Sequence, residues 1–258
     1  MDKHTPKRVA YRAAKRYIHW VDGFSYDFAK NGEEWLMGAT SGFGFKTVFD
    51  VGANIGSWTR SALGYFQAAE FHCFELSSET FATLQENLNE PRVHLNNFGL
   101  SDSDSEVEYK NYGRNSGVNT LLLNAEYHDR HQQPELAVGG TRRGDSYCEE
   151  VGVEVIDFLK VDVEGAEHLV FRGFHGILSQ KKIRLIQFEY GYTHADAKFL
   201  MRDFFELFES YGYVVGKLRR GRVELVGWSY RLNDFDSGPN FVAVRDSDVS
   251  LIRTLTSR

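Results

Sequence analysis

Apolar and polar positions alternate along this chain between two periods, short apolar runs giving way to amphipathic stretches, which is the pattern of strands alternating with helices. The runs at 48–51, 71–75, 93–97, 155–161 and 183–188 read as strands, the fourth as one buried on both faces. Residues 81–88 carry Phe81, Leu84 and Leu88 at helical spacing behind Ser77 and Ser78, either of which can cap a helix. Residues 203–211 repeat the pattern with Phe204, Leu207, Phe208 and Tyr211. After them, 213–218 and 223–226 predict a hairpin around Arg219, Arg220, Gly221 and Arg222. The stretch 103–146 is long, polar and glycine-bearing, and predicts a short extra strand pair plus a cover over whatever the sheet binds. The result is an α/β chain, an N-terminal helical appendage over 1–41 followed by one sheet domain over 42–258.

Candidate chemistry begins at VFDVGANIGSW, residues 48–58. A strand ends in Asp50 and breaks into a loop of Gly52, Ala53, Asn54 and Gly56 before a helix, a cradle for a nucleoside-bearing ligand. The dinucleotide spacing G-x-G-x-x-G is absent. S-adenosylmethionine fits better, its ammonium approaching Asp50 and its carboxylate held by loop N–H groups. A tight turn that needs glycine for backbone geometry alone is the competing explanation. The next strand ends in Glu75, placed for ribose hydroxyls, with Leu76 beside it. Leu100, Ser101 and Asp102 follow the third strand, where an adenine needs an apolar face and a polar edge; solvated turn residues are the alternative there.

A second informative segment, VIDFLKVDVEGAE at 155–167, ends a buried-type strand in a cluster of acids. Together DVGANIG (50–56), FE (74–75), GLSD (99–102), DFLKVDVEGAE (157–167), QFEY (187–190) and NFVAV (240–244) resemble, in order, the landmarks of FkbM-type S-adenosylmethionine-dependent methyltransferases. The resemblance spans roughly residues 45–245. It implies a Rossmann-like, seven-stranded class I methyltransferase sheet, mostly parallel with the last strand antiparallel, and methylation of a hydroxyl on a sugar or a natural product such as a polyketide or peptide. One departure stands out, because the family carries a Leu-Asp pair before strand four where this chain has Gly144 and Asp145.

Composition narrows the partners. With 258 residues, 42% of them hydrophobic, the chain can bury one substantial core. A net charge of -6 argues against a nucleic-acid surface, which needs dense Lys and Arg. The Pro-Pro-aromatic signature of enzymes acting on flipped bases is also missing after strand four. Two cysteines give no disulfide framework or zinc spacing, so a reducing cytoplasm is the expected compartment. No apolar run is long enough to cross a bilayer. The first twenty residues hold six Lys and Arg against Asp2, with Val9, Ala13, Tyr17 and Trp20 at helical spacing. Such a basic amphipathic helix packs on its own domain or a second subunit, making a homo-oligomer, or lies on an anionic membrane surface.

Methyl transfer to an alcohol needs alignment plus a group that removes the hydroxyl proton. Asp162, Glu164 and Glu189, at the ends of adjacent strands, are the candidate bases, Asp162 first. His194 is the rival, since imidazole titrates near working pH. The same acids could instead bind magnesium or manganese through Asp162 and Glu189. Lys160, two residues before Asp162, would neutralise them. Three arginines at 219–222 would lie near the acceptor mouth if strand six is parallel, and point to an anionic or nucleotide-linked acceptor; a solvated edge turn explains them equally. A non-catalytic binding protein is disfavoured, because acids at four strand ends have no packing rationale.

Overall fold

The computed structural model describes residues 6–22, 24–25, 27–235 and 238–257. Helices α1 (Pro6–Asp22) and α2 (Glu33–Thr40) come first, and then β1 (Thr47–Val51), α3 (Ser57–Tyr65), β2 (Glu70–Phe74), α4 (Ser78–Asn87) and β3 (Val93–Asn96) form the first half of a sheet. A small excursion follows in β4 (Gly99–Ser101), β5 (Ser105–Asn111), β6 (Glu135–Arg143) and α5 (Gly144–Val151). The second half is β7 (Ile156–Val161), α6 (Glu167–Gly173), α7 (His175–Ser179), β8 (Ile183–Glu189), α8 (Thr193–Ala197), α9 (Met201–Ser210), β9 (Tyr213–Arg219), β10 (Arg222–Leu225), β11 (Asn240–Arg245) and α10 (Val249–Thr256).

The main sheet has eight strands in the order β10-β9-β11-β8-β7-β1-β2-β3. Pairing is parallel from β3 through β8, while β11 runs antiparallel to both β8 and β9. Seven of these are the expected strands; the eighth, β10, is the second arm of the hairpin, antiparallel to β9. Winding reverses between β1 and β7, and a ligand crevice opens at the carboxyl ends of strands at such a reversal.

Both faces of the sheet are covered, as a parallel sheet requires. Phe49, Val51, Phe74, Phe171, Phe174, Phe188 and Phe204 fill one side. Val48, Phe71, Phe158, Leu185 and Val242 fill the other together with Leu36 and Met37 of α2. The packed unit therefore begins near Glu33, before residue 42. α1 is different: Val9, Tyr17 and Trp20 are 54%, 65% and 71% exposed, so it does not bury its apolar face on its own domain. Among the described residues no helix is long and apolar enough to cross a membrane.

At the departure from the family pattern, a Cβ on Gly144 would lie 2.3 Å from the Phe174 ring, which occupies that space. Asp145 retains a fixed task, accepting the N–H groups of Gly176 (2.7 Å) and Ile177 (3.0 Å) in the first turn of α7.

The stretch after β3 forms the small sheet β4-β6-β5, and residues 112–134 between β5 and β6 lie across the crevice. Four hydrogen bonds fix them there. Asn54 Nδ2 donates to the Ser116 carbonyl (2.8 Å), Thr120 Oγ1 to the Glu164 carbonyl (2.9 Å), Asn124 Nδ2 to the Asp196 carbonyl (2.8 Å), and the Glu126 N–H to Asp196 Oδ2 (2.9 Å).

Candidate active site

β1 and β7 run side by side with Val51 opposite Val161, so both strands end together. The Asp162 N–H donates to the Val51 carbonyl at 3.0 Å, which brings the β7 exit against the turn after β1. A Cβ on Gly52 would sit 1.9 Å from the Asp162 carbonyl oxygen, and Gly52 has φ +80°. Only glycine fits both demands.

Beside this contact lies a cavity of about 710 Å³, lined by Gly52, Asn54, Glu75, Leu76, Leu100, Asp162 and Glu164, with Ser116 and Leu121 from the covering segment. Glu75 is buried, accepting the Asn54 N–H on Oε2 (3.0 Å) and the Ser77 N–H on Oε1 (2.9 Å). Burial raises its pKa to about 7 against the pull of those two donors. Phe74, Leu76, Leu100 and Val163 give the cavity an apolar slot next to this acid. An adenosine has that shape of need, so the residues present fit S-adenosylmethionine.

The turn does not bind an anion through its amides. Gly52 and Ala53 both donate to the Phe74 carbonyl (3.0 and 2.9 Å), Ile55 donates to the Asn54 side chain (2.8 Å), and Gly56 donates to the Ala53 carbonyl (2.9 Å). With the Asn54 N–H given to Glu75, every amide from 52 to 56 is committed inside the protein. Gly56 itself packs, since a Cβ there would meet Leu84 and Leu88 within 2.9 Å.

Asp50 is fully buried rather than open to a ligand. It accepts Thr59 Oγ1 (2.7 Å) and faces Lys160 Nζ at 3.4 Å. Lys160 also reaches Asp162 Oδ2 at 3.2 Å. Burial would favour loss of the lysine proton, but Asp162, Asp50, Glu33 and Glu189 outweigh it and hold the ammonium above the ordinary lysine range. Glu33 of α2 is a participant that sequence did not single out. It accepts Gln187 Nε2 at 2.6 Å, and burial raises its pKa despite Lys160 and the amide donors. A second crevice, of about 720 Å³, is lined by Glu33, Ala53, Trp58 and Lys160 and joins the first at Gly52, Asn54 and Asp162.

A third cavity, of about 1050 Å³, meets the first at Gly117 and Glu164. Glu164, Glu167 and Glu189 line it with Tyr127, Tyr190, Tyr192 and Phe235. Glu189 follows Phe188, which pairs with Val161, so it stands one strand over from Asp162. Burial pushes Glu189 well above the carboxylate range, and Asp162, Glu164 and Glu33 add to this while Lys160 opposes it. Glu164, at φ +55°, is raised by burial and restrained by His128, whose Nε2 lies 3.3 Å from its Oε2. Asp162 is likewise raised by burial against Lys160. It lines the 710 Å³ cavity and the 720 Å³ crevice rather than the third cavity.

Three further expectations change. His194 is buried: its Nδ1 accepts the Gly191 N–H (3.1 Å), and its Nε2 lies 2.9 Å from Glu167 Oε2. It stands against Glu167 and also lines the third cavity. Burial of Glu167 is outweighed by His194 and by the Val163 N–H, so its pKa is lowered. Ser101 and Asp102 do not line the 710 Å³ cavity, and Asp102 is exposed; only Leu100 of that trio reaches it.

The arginines are spent elsewhere. Arg219 Nε pairs with Glu224 at 3.1 Å, Arg220 Nε donates to the Lys30 carbonyl at 2.8 Å, and none of 219, 220 and 222 lines the three cavities. Among the described residues no three His, Cys, Asp or Glu side chains converge to hold a metal ion. Between Asp162 and Glu189, the pair that could bind magnesium or manganese, the cation present is the Lys160 ammonium, so the residues do not fit such an ion.

The chain is similar to known proteins. The sequence profile described as the methyltransferase FkbM domain matches residues 50–215, well over half of the chain. The chain is 29% identical over 154 residues to 2-O-methyltransferase NoeI of Sinorhizobium fredii, aligning 55% of this chain with 62% of that protein. It is 28% identical over 142 residues to Methyltransferase 1 of Beauveria bassiana, 49% of this chain and 57% of that one. The chain thus spans about three fifths of the length of these two relatives. The crystal structure of methyltransferase FkbM from Methylobacillus flagellatus KT superimposes with a TM-score of 0.48 at 15% identity, covering 92% of this chain and 59% of that one. From the matched region, which takes in the end of β1 with its glycine turn and β7 with its acids, the chain belongs to the FkbM family of S-adenosylmethionine-dependent methyltransferases.

Proposed function

We propose that this enzyme methylates a hydroxyl of a sugar, glycan or related hydroxylated metabolite. The observation that supports this reading is the junction at Gly117 and Glu164, where a cavity suited to adenosine opens into one holding two carboxyls of elevated pKa. The hydroxyl acceptor is also in keeping with the name of the Sinorhizobium fredii relative, a 2-O-methyltransferase.

Bound S-adenosylmethionine supplies an electrophilic methyl on a sulfonium. Glu75 would take the ribose hydroxyls, the Phe74, Leu76 and Leu100 slot the adenine, and Asp162 with Lys160 the zwitterionic amino-acid end. Glu164 and Glu189 then face the acceptor. A carboxylate of raised pKa is a better base for a hydroxyl, and one of these two would receive the proton as the acceptor oxygen displaces the cofactor's sulfur from the methyl carbon, leaving S-adenosylhomocysteine. Asp162, tied to Lys160, is the weaker base and the better cofactor ligand. The covering segment excludes water from both chambers.

The test is methyl transfer from labelled S-adenosylmethionine to a panel of sugars, oligosaccharides and hydroxylated natural products. Transfer to a hydroxyl supports the reading, and transfer only to amines or carboxylates removes it. The exposed apolar residues of α1 beside its cations call for a surface outside their own domain, either a second copy or an anionic lipid surface. Sedimentation and flotation with phosphatidylglycerol vesicles separate those two.

A further inference from the structure

The 1050 Å³ cavity has a charge character opposite to the one the arginine cluster suggested. Its lining includes Glu164, Glu167 and Glu189, and among the described residues it includes no lysine or arginine. Lys160, whose charge acts on Glu189, lines the 720 Å³ crevice instead and is already committed to Asp50 and Asp162. An anionic group entering here would be desolvated next to carboxyls; of the three histidines in the lining, His128 and His194 already face Glu164 and Glu167, which leaves His131 to receive it.

The other wall is aromatic. Tyr127 from the covering segment and Tyr192 after β8 lie ring on ring, 4.7 Å apart at 5°, and Phe235 continues this wall at 5.3 Å from Tyr192. Ring faces of this kind accept the C–H face of a carbohydrate and attract an ammonium through their quadrupole. The carboxyl oxygens opposite accept hydrogen bonds from hydroxyl and ammonium protons alike.

From this pairing we infer that the acceptor enters as a hydroxylated ring bearing no negative charge, and that an amino group on the ring strengthens its binding. Phosphorylated, nucleotide-linked and uronic acid rings are excluded from the cavity. This rests on the sugar-hydroxyl reading above and specifies its substrate class.

The test compares four methyl glycosides as acceptors at saturating S-adenosylmethionine: a neutral hexose, the matching 2-amino sugar, the uronic acid and the 6-phosphate. The expected result is a kcat/KM for both anions lower by roughly tenfold or more than for the neutral ring, with the lowest KM for the amino sugar. A lysine placed in the lining by Val118→Lys should narrow that gap from both sides, raising KM for the amino sugar and lowering it for the anions. Equal or faster turnover of either anion, or a gap that Val118→Lys leaves unchanged, overturns the inference while leaving sugar methylation standing. No transfer to any of the four, with calorimetric cofactor binding intact, instead removes the sugar reading on which it rests.

Discussion

Lys160 Nζ stands 3.2 Å from Asp162 Oδ2 and 3.4 Å from Asp50 Oδ1, a buried cation between the ends of the two central strands. Removing it leaves the fully buried Asp50 without a counter-charge, beside an Asp162 whose side chain is 29% exposed. Lys160→Met should therefore cost about 3–5 kcal/mol of stability, read from urea denaturation. Cofactor affinity should fall as well.

Glu164 and Glu189 share the third cavity but have different neighbours, since His128 touches only Glu164. If one of them takes the hydroxyl proton, its glutamine variant should lose about 10²–10⁴ in kcat while binding S-adenosylhomocysteine within a few-fold of wild type. Asp162→Asn should weaken cofactor binding instead. Single-turnover kinetics and calorimetry separate these outcomes, and full activity in both glutamine variants would end the assignment.

Glu75 has a folded pKa near 7, above its ordinary value of 4.5. A raised carboxyl binds more protons folded than unfolded, so stability is fully present below pH 4.5 and is lost as pH rises through about 7. The loss amounts to roughly 3 kcal/mol at most. The Tm of the wild type should accordingly fall relative to Glu75→Gln between pH 4.5 and 8 without cofactor. S-adenosylmethionine, by donating ribose hydroxyls to the ionised form, should bind more tightly as pH rises through the same window. Glu75→Gln should bind weakly and independently of pH.

Gly52→Ala should be among the most damaging single-methyl additions in the chain. Its Cβ would fall 1.9 Å from the Asp162 carbonyl carbon's oxygen, backbone that cannot move without parting β1 from β7, and its φ of +80° adds strain. We expect a loss of several kcal/mol and of cofactor binding. Gly64→Ala, with nothing within 4 Å of the new carbon, is the control.

The main-sheet strands and the acids at their ends are legible in sequence because hydrophobic period and glycine placement are local signals, whereas the arrangement of the sheet follows from the family resemblance. Gly52 and Glu75 could be assigned from spacing alone. Amide direction could not: whether the 52–56 N–H groups point at a ligand depends on how closely β1 and β2 pair, and here the Phe74 carbonyl takes two of them. The fate of Asp50 depended on Lys160, which sits 110 residues away in sequence. Glu33 gave no signal, since its contact with Gln187 spans 154 residues and a glutamate opening a helix reads as a surface residue. Nothing local in the sequence marks His194 as buried, and it lies buried beside Glu167.

The segment 112–134 roofs the 710 Å³ and 1050 Å³ cavities at once, pinned by Asn54, Thr120 and Asp196. A single displacement of that roof unseals both compartments. Loading and discharge of the two reactants are thereby mechanically linked, so a lesion in any one pin should perturb the Michaelis constants of donor and acceptor together.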